Sequence, residues 1–566
     1  MSIPFTIGGI PIRVMGDNAL SRMASASLDN DRVLIILQMQ GGNDGLNSLI
    51  PEIEYDLYYS RRANIAVPFK NKTRGYIPLD STLTDAAKVG LHPDMLAMKG
   101  MYDQGRVAIV QGVSYKNNDG SHFRGRDIWF MGGSAEDYFP SGWMGRYFTH
   151  ELSKIGTPPG LSYPEDLPND DYKDPLAIEM GTETSLLFHQ DGKIPVSISF
   201  PSAVPLDQDG SFADLIGELE GFMDQQLDPR GVPPEFLNPS PYYQELDWIL
   251  KLEDKSKDYA ARLLEVYKAG SPTTVTYPDR YPFNAPDGSL KNYLAGQLKL
   301  IARLLAGGCK TKVFLVKIGG FDTHADQVQI GTPTMGVHAA LMYHISTAMK
   351  AFQDDLRTRS TALESRVLTV TMSEFGRRVH SNGSYGTDHG TGGPVFIFGR
   401  GVRPGVVGNV PDLNKSNVEE QFDYRNVYGN IMKDWMQVDD ESLNVIFPGL
   451  TTTGTQDGVT FEPLPLAQQE ITGTEGFVSD RFSLEDCYPN PAKDKTTVGF
   501  KVNSANQVTV NLYDGQGKKI KIMVDNFYQP GEHKVDVALK GIPAGHYIYE
   551  LKTGFYKESK KLVIVD

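Results

Sequence analysis

Residues 33–45 read VLIILQMQGGNDG, and this stretch decides the fold. A run of Val, Leu and Ile with almost no polar alternation describes a strand covered on both faces, which is the habit of parallel sheets flanked by helices. The glycine pair after it permits an abrupt turn, and Asp44 rides on that turn. Two further runs repeat the pattern: VFLVKI at 313–318 leads into GGFDTH at 319–324, and VLTVTM at 367–372 leads into SEFGRR at 373–378. A fourth polar cluster, GTDHG, occupies 386–390. In an open α/β sheet, loops beyond the carboxyl ends of the strands converge on one crevice. Asp44, Asp322, His324, Glu374, Asp388 and His389 are therefore expected in a common pocket. Their mixture of carboxylate and imidazole donors suits one or two divalent ions, zinc, manganese or calcium.

Each motif also has a plainer reading. Asp44 in an Asn-Asp-Gly turn can simply cap a helix. Asp322 and His324 stand two positions apart, so in extended chain they share a face and can grip one ion. Asp388 and His389 can be hydrogen-bonded loop residues. Glu374 ends a buried strand, and a buried carboxylate needs a cation or an arginine, for which Arg377 and Arg378 are at hand. Ser121 opens SHFRGRDIWFMGG, a helix start where free N–H groups favour an anion. It is either a nucleophile or an N-cap. His122 can be a ligand, a general acid or a packed aromatic, while Arg124 and Arg126 can hold phosphate or sulfate oxygens.

The chain has 566 residues and a formal charge of -15, enough for a large core plus an accessory module. An acidic chain without a basic cluster excludes broad nucleic-acid binding. Its two cysteines, Cys309 and Cys487, exclude a disulfide framework. No apolar run reaches the ~18 residues that span a bilayer, and residues 1–30 read as a segment following or lacking an export leader. Residues 31–450 alternate strand-like and helical patterns, the mark of an α/β fold with a mostly parallel sheet covered by helices. Helices are expected at 241–268, 289–307 and 335–357, and 151–240 reads as long inserted loops. Residues 451–482 read as a linker. The remainder, 483–566, alternates apolar and polar positions in six runs beginning at 496–502 and ending at 559–565, which predicts a small antiparallel β-sandwich.

The succession GGNDGLN, LHPDM, DQGRVAIVQGV, SHFRGRDIW, FDTH, SEFGRRV, GTDHG and GVVGNVPDL resembles the bacterial family called domain of unknown function 1501, over Val33 to Pro448. That family looks like a branch of the alkaline phosphatase superfamily. The resemblance implies Ser121 as a nucleophile forming a covalent intermediate. It also implies one metal held by Asp322, His324 and His389 and another by Asp44, Glu374 and Asp388. Phe375 stands where related enzymes carry a histidine, and the interval from Asp322 to His324 is shorter than theirs. Phe123 and Gly125 replace the Pro and Arg that follow the modified residue of sulfatases, which favours a phosphate over a sulfate ester.

The tail, with CYPNPAKDKTTVGF, NLYDGQGKKI, GIPAGHYIYEL and KKLVIVD, resembles the type A sorting domain of the type IX secretion system of Bacteroidota. This implies that residues 483–566 are recognised by the secretion machinery and that the chain ends outside the cell or on its surface. The two functional expectations are a metal-dependent hydrolase of small-molecule or glycan esters and a non-catalytic surface protein on the same fold.

Overall fold

A computed structural model describes residues 3–7, 10–14, 30–154, 167–168, 172–181, 185–190, 197–200, 258–451, 459–467, 482–502, 506–514, 518–529, 531–552 and 557–565. The apolar run at the start of the sequence forms β1 (Val33–Met39), buried along its whole length. It lies at the centre of a nine-stranded sheet. The other members are β2 (Val107–Ser114), β3 (Ala177–Met180), β4 (Ser197–Phe200), β5 (Val313–Ile318), β6 (Val367–Met372), β7 (Gly393–Gly399), β8 (Gly405–Val407) and β9 (Phe422–Asp423). The strand order is β8-β2-β7-β6-β1-β5-β3-β4, with β9 also paired to β2. β7 runs antiparallel to β6 and β2, whereas β5 and β6 flank β1 in parallel.

Alternation along β1 divides the core into two layers. Val33, Ile35, Leu37 and Met39 face a layer that includes helices Leu96–Asp103, Tyr293–Ala306 and Val337–Arg359. Leu34 and Ile36 face the other, with helices His122–Met131, Trp143–Ser153 and Tyr424–Asp434. Side chains of successive strand residues point to opposite faces, so a run with no polar alternation must be sandwiched. Trp435 locks one side of the sheet to its helical cover: it is 1% exposed and its indole N–H donates to the Val33 carbonyl at 3.0 Å.

Register decides where the site lies. Ile318 pairs with Met39 and Met372 with Gln38, so the three central strands end almost level and release their polar loops at one edge. The expected helices at 289–307 and 335–357 appear as Tyr293–Ala306 and Val337–Arg359. Of the helix expected at 241–268, residues 258–269 are helical and the rest lies outside the described residues. The stretch read as inserted loops differs: β3 and β4 come from it and extend the sheet in parallel from β5. Leu464, Leu466 and Ala467, placed in the linker by sequence, are buried in the second core layer, so apolar anchoring continues past residue 450.

The six tail runs fall within strands Lys495–Val502, Asn506–Tyr513, Lys519–Tyr528, Gly531–Ala538, Gly545–Lys552 and Lys557–Ile564, give or take a residue at their ends. With Phe482–Leu484 they form a three-stranded and a four-stranded sheet, both antiparallel. One core, including Phe500, Val510, Leu512, Tyr549 and Leu562, joins them.

Candidate metal centre

Four loops meet beyond the carboxyl edge of the sheet, and backbone pairing stitches them together. Asn43 bridges to Gly376 and Arg377 to His389, while the Thr387 N–H donates to the Thr323 carbonyl at 3.1 Å. Gly41 makes this approach possible at φ +117°: a Cβ there would lie 2.2 Å from the Asp322 nitrogen. Arg377, with a fully buried side chain, is the central fastener. It donates to the carbonyls of Gly42 at 2.9 Å, Thr387 at 2.9 Å and Phe321 at 3.1 Å, to that of Gly41, and to the Asp322 carboxylate at 2.7 Å.

Around Asp322 the imidazoles gather. Its carboxylate lies 3.5 Å from His122 Nε2, 3.3 Å from His324 Nε2 and 3.4 Å from His389 Nε2. A tetrahedral ion with bonds of about 2.0–2.2 Å holds its ligands roughly 3.3–3.6 Å apart. Ligand atoms of His122, Asp322 and His389 lie within 4.8 Å of one another. The His324 and His389 Nε2 atoms lie 2.7 Å apart, a hydrogen-bond separation shorter than that ligand spacing, so the two rings must part slightly to share an ion.

His389 is oriented for this work. Its Nδ1 lies 2.7 Å from the Gly120 carbonyl, which can only accept, so Nδ1 carries the proton and Nε2 turns a lone pair to the cluster. Burial first, and then the Arg377 cation, lowers the imidazole pKa of His389, favouring the neutral form that a metal needs. Burial raises the Asp322 pKa, but the hydrogen bond and charge of Arg377 outweigh it and hold the group below the ordinary carboxylate value. Asp322 and His324 are about half exposed, so the cluster opens to solvent. Phe375 walls it from beneath, 4.8 Å from the His122 ring and 4.5 Å from that of His389.

The remaining expected ligands stand differently. Asp388 Oδ1 is 3.6 Å from His324 Nδ1 and accepts from Asn382 at 3.1 Å, placing it behind His324. Glu374 accepts the Gly41 N–H at 2.7 Å and meets His122 Nδ1 at 3.2 Å; neither Arg377 nor Arg378 makes the ion pair considered for it. Asp44 departs from the cluster altogether. It is 1% exposed, gripped by Arg62 at 2.9 and 2.8 Å and by the Gln327 amide at 2.6 Å. Burial pushes its pKa up, yet the Arg62 charge brings it below the ordinary value. A carboxylate so fully paired has no need of an ion.

Gln327 and Arg62 carried no sequence signal, although they join the motifs. The Gln327 amide oxygen accepts from the hydroxyls of Thr323 and Thr387 at 2.9 and 3.0 Å. Ser121 caps helix His122–Met131 by accepting the Arg124 N–H at 3.3 Å. The Arg124 guanidinium is turned from the cluster, donating to the carbonyls of Ala135 and Asp137 at 2.6 and 2.5 Å beneath the Tyr138 ring. Its expected role as an oxyanion holder is corrected: those carbonyls and that ring satisfy it.

Behind the site, His338 is buried beside Asp44, and its Nε2 has no hydrogen-bond partner. Burial, aided by Arg62 and opposed by Asp44, holds its pKa down at about 4, below the ordinary imidazole value of 6.5. His92 and His344 are lowered in the same direction, chiefly by burial. Each takes a proton in the unfolded chain that it refuses when folded, so stability is complete above pH 6.5 and declines as pH falls toward 4. The His338 contribution is on the order of 3 kcal/mol. Urea midpoints at pH 7.5 and 4.5 should differ accordingly, and equal midpoints would count against a buried neutral His338.

Residues 258–462 match the family described as Protein of unknown function (DUF1501). The chain carries a DUF1501 domain. That domain supplies Asp322, His324, Glu374, Asp388 and His389, whereas Asp44, Ser121 and His122 precede the matched segment. Residues 486–565 match the family described as Secretion system C-terminal sorting domain. This sorting domain marks the chain for type IX secretion, to the cell surface or the extracellular space. No described helix is long and apolar enough to cross a membrane.

A search of curated proteins found no match. Among solved structures, dimeric latent PorU from Porphyromonas gingivalis is 19% identical over 15% of this chain, with a TM-score of 0.14; the chain spans only 9% of PorU. A protein in the alkaline phosphatase superfamily from Vibrio parahaemolyticus is 11% identical over 88% of this chain and 84% of its own, with a TM-score of 0.28. A structure described under the metabolism of multiple glycosaminoglycans by Bacteroides thetaiotaomicron is 10% identical over 88% of this chain and 90% of its own, at 0.30.

Proposed function

We propose that the α/β unit is an exported metal-dependent hydrolase of phosphate esters, or secondarily sulfate esters, centred on Asp322, His122, His324 and His389. The observation that carries this reading is the set of imidazole Nε2 atoms turned toward one half-exposed carboxylate, with His389 held in place from behind by the Gly120 carbonyl. Three imidazoles and a carboxylate favour zinc or manganese over calcium, which prefers an all-oxygen shell. A bound ion of this kind supplies Lewis-acid polarisation of an ester oxygen and eases deprotonation of water. The protein supplies a desolvated floor at Phe375 and an open upper face for a small-molecule or glycan ester.

With its hydroxyl committed to the helix cap, Ser121 is not needed as the attacking group. Chromogenic phosphate and sulfate esters test the proposal: turnover should vanish in Asp322→Ala and stay within about tenfold of wild type in Ser121→Ala, whose cap loss costs roughly 1 kcal/mol of stability. Turnover indifferent to Asp322→Ala would overturn it. A second reading, a surface protein that binds without catalysis, draws on the withdrawal of Asp44 into its pair with Arg62. It predicts no turnover in the wild type either.

A further inference from the structure

We infer that Glu374 stands outside the ligand set and acts as the positioning residue that holds His122 in its liganding tautomer. This rests on the metal-centre reading above. Glu374 leaves the end of β6 with only 6% of its side chain exposed. One oxygen accepts the Gly41 N–H at 2.7 Å and lies 3.2 Å from His122 Nδ1. That oxygen, already the acceptor of the Gly41 N–H, meets His122 as an acceptor too, so the His122 proton sits on Nδ1 and the lone pair on Nε2. That Nε2 is buried, has no hydrogen-bond partner, and lies 3.5 Å from Asp322 Oδ2.

His389 obeys the same rule, with its Nδ1 on the Gly120 carbonyl and its Nε2 turned inward. Two imidazoles therefore have protons fixed outward and lone pairs fixed inward, one by a carbonyl and one by a carboxylate. An outer partner of this kind selects the tautomer and raises the basicity of the ligating nitrogen.

Local packing enforces the pair. At Gly125, one turn into the helix that His122 opens, a Cβ would sit 2.9 Å from the Glu374 carbonyl oxygen and 3.3 Å from its Cβ. Glycine lets the helix start press against the strand end. The Phe375 ring, 4.8 Å from that of His122, restricts its rotation.

Zinc competition titrations of the full chain against a chromophoric chelator test the assignment, using wild type, Glu374→Gln and Asp322→Ala. Glutamine keeps an acceptor for Gly41 but removes the charge, so affinity should fall about 10–100-fold, while Asp322→Ala should lose more. Equal affinity in Glu374→Gln and wild type overturns the inference, as does a loss matching that of Asp322→Ala, which would make Glu374 a ligand. Failure of wild type to bind zinc would instead remove the metal-centre reading itself. Should Glu374→Gln misfold, nitrogen-15 NMR of the metal-free wild type decides: a proton on His122 Nδ1 supports the pair, and one on Nε2 contradicts it.

Discussion

Arg62→Met should destabilise the α/β unit by about 3–5 kcal/mol, the usual result of leaving a buried charge without its partner. Arg62 is fully buried and donates to Asp44, to the Asn47 amide oxygen at 2.8 Å, and to the carbonyls of Val379 at 3.0 Å and Arg378 at 2.8 Å. Methionine fills similar space but satisfies none of these acceptors. Asp44 would keep the Gln327 amide while losing the charge that overcomes its burial. The urea midpoint of the α/β unit reports the loss, and the reduction should be greatest near neutral pH, where Asp44 is ionised. An unfolding free energy within about 0.5 kcal/mol of wild type, the range of ordinary surface changes, would show that the pair does not hold these loops together.

The second large effect concerns metal affinity. Asp322→Ala and His389→Ala should each weaken zinc binding by more than the about 10–100-fold typical of outer-shell changes, as read by calorimetric titration. The fold should survive Asp322→Ala. That side chain is half exposed, and Arg377 keeps the carbonyls of Gly41, Gly42, Phe321 and Thr387 when it is gone. Ser121→Ala and substitutions at Arg124 should leave affinity unchanged, since the Ser121 hydroxyl accepts the Arg124 N–H and the Arg124 guanidinium donates to the carbonyls of Ala135 and Asp137. Loss of affinity in Ser121→Ala with Asp322→Ala unaffected would move the centre to the helix start.

The strands were legible because each apolar run is buried on both faces, so hydrophobicity alone marked β1, β5 and β6 to the residue. Convergence of their loops followed from parallel pairing. Asp322, His324 and His389 were singled out by residue type and by spacing, and the fold brings them together. Asp44 was misplaced because a Gly-rich turn reads the same whether its carboxylate meets an ion or an arginine, and Arg62 arrives from a short helix with no signature. The roles of Glu374 and Gln327 depend on which neighbour lies across a loop, a fact that spacing along one chain does not encode. β3 and β4 were hidden by the Pro, Asp and Gly around them, and their four residues each, AIEM and SISF, include polar positions.

The most direct test is a crystal of the zinc-soaked full chain, measured on both sides of the zinc absorption edge. The account predicts an anomalous peak within bonding distance of Asp322 and the Nε2 atoms of His122, His324 and His389, with Glu374 behind His122 and Asp44 still on Arg62. A peak at Asp44, or no peak among these four side chains at saturating zinc, would contradict it.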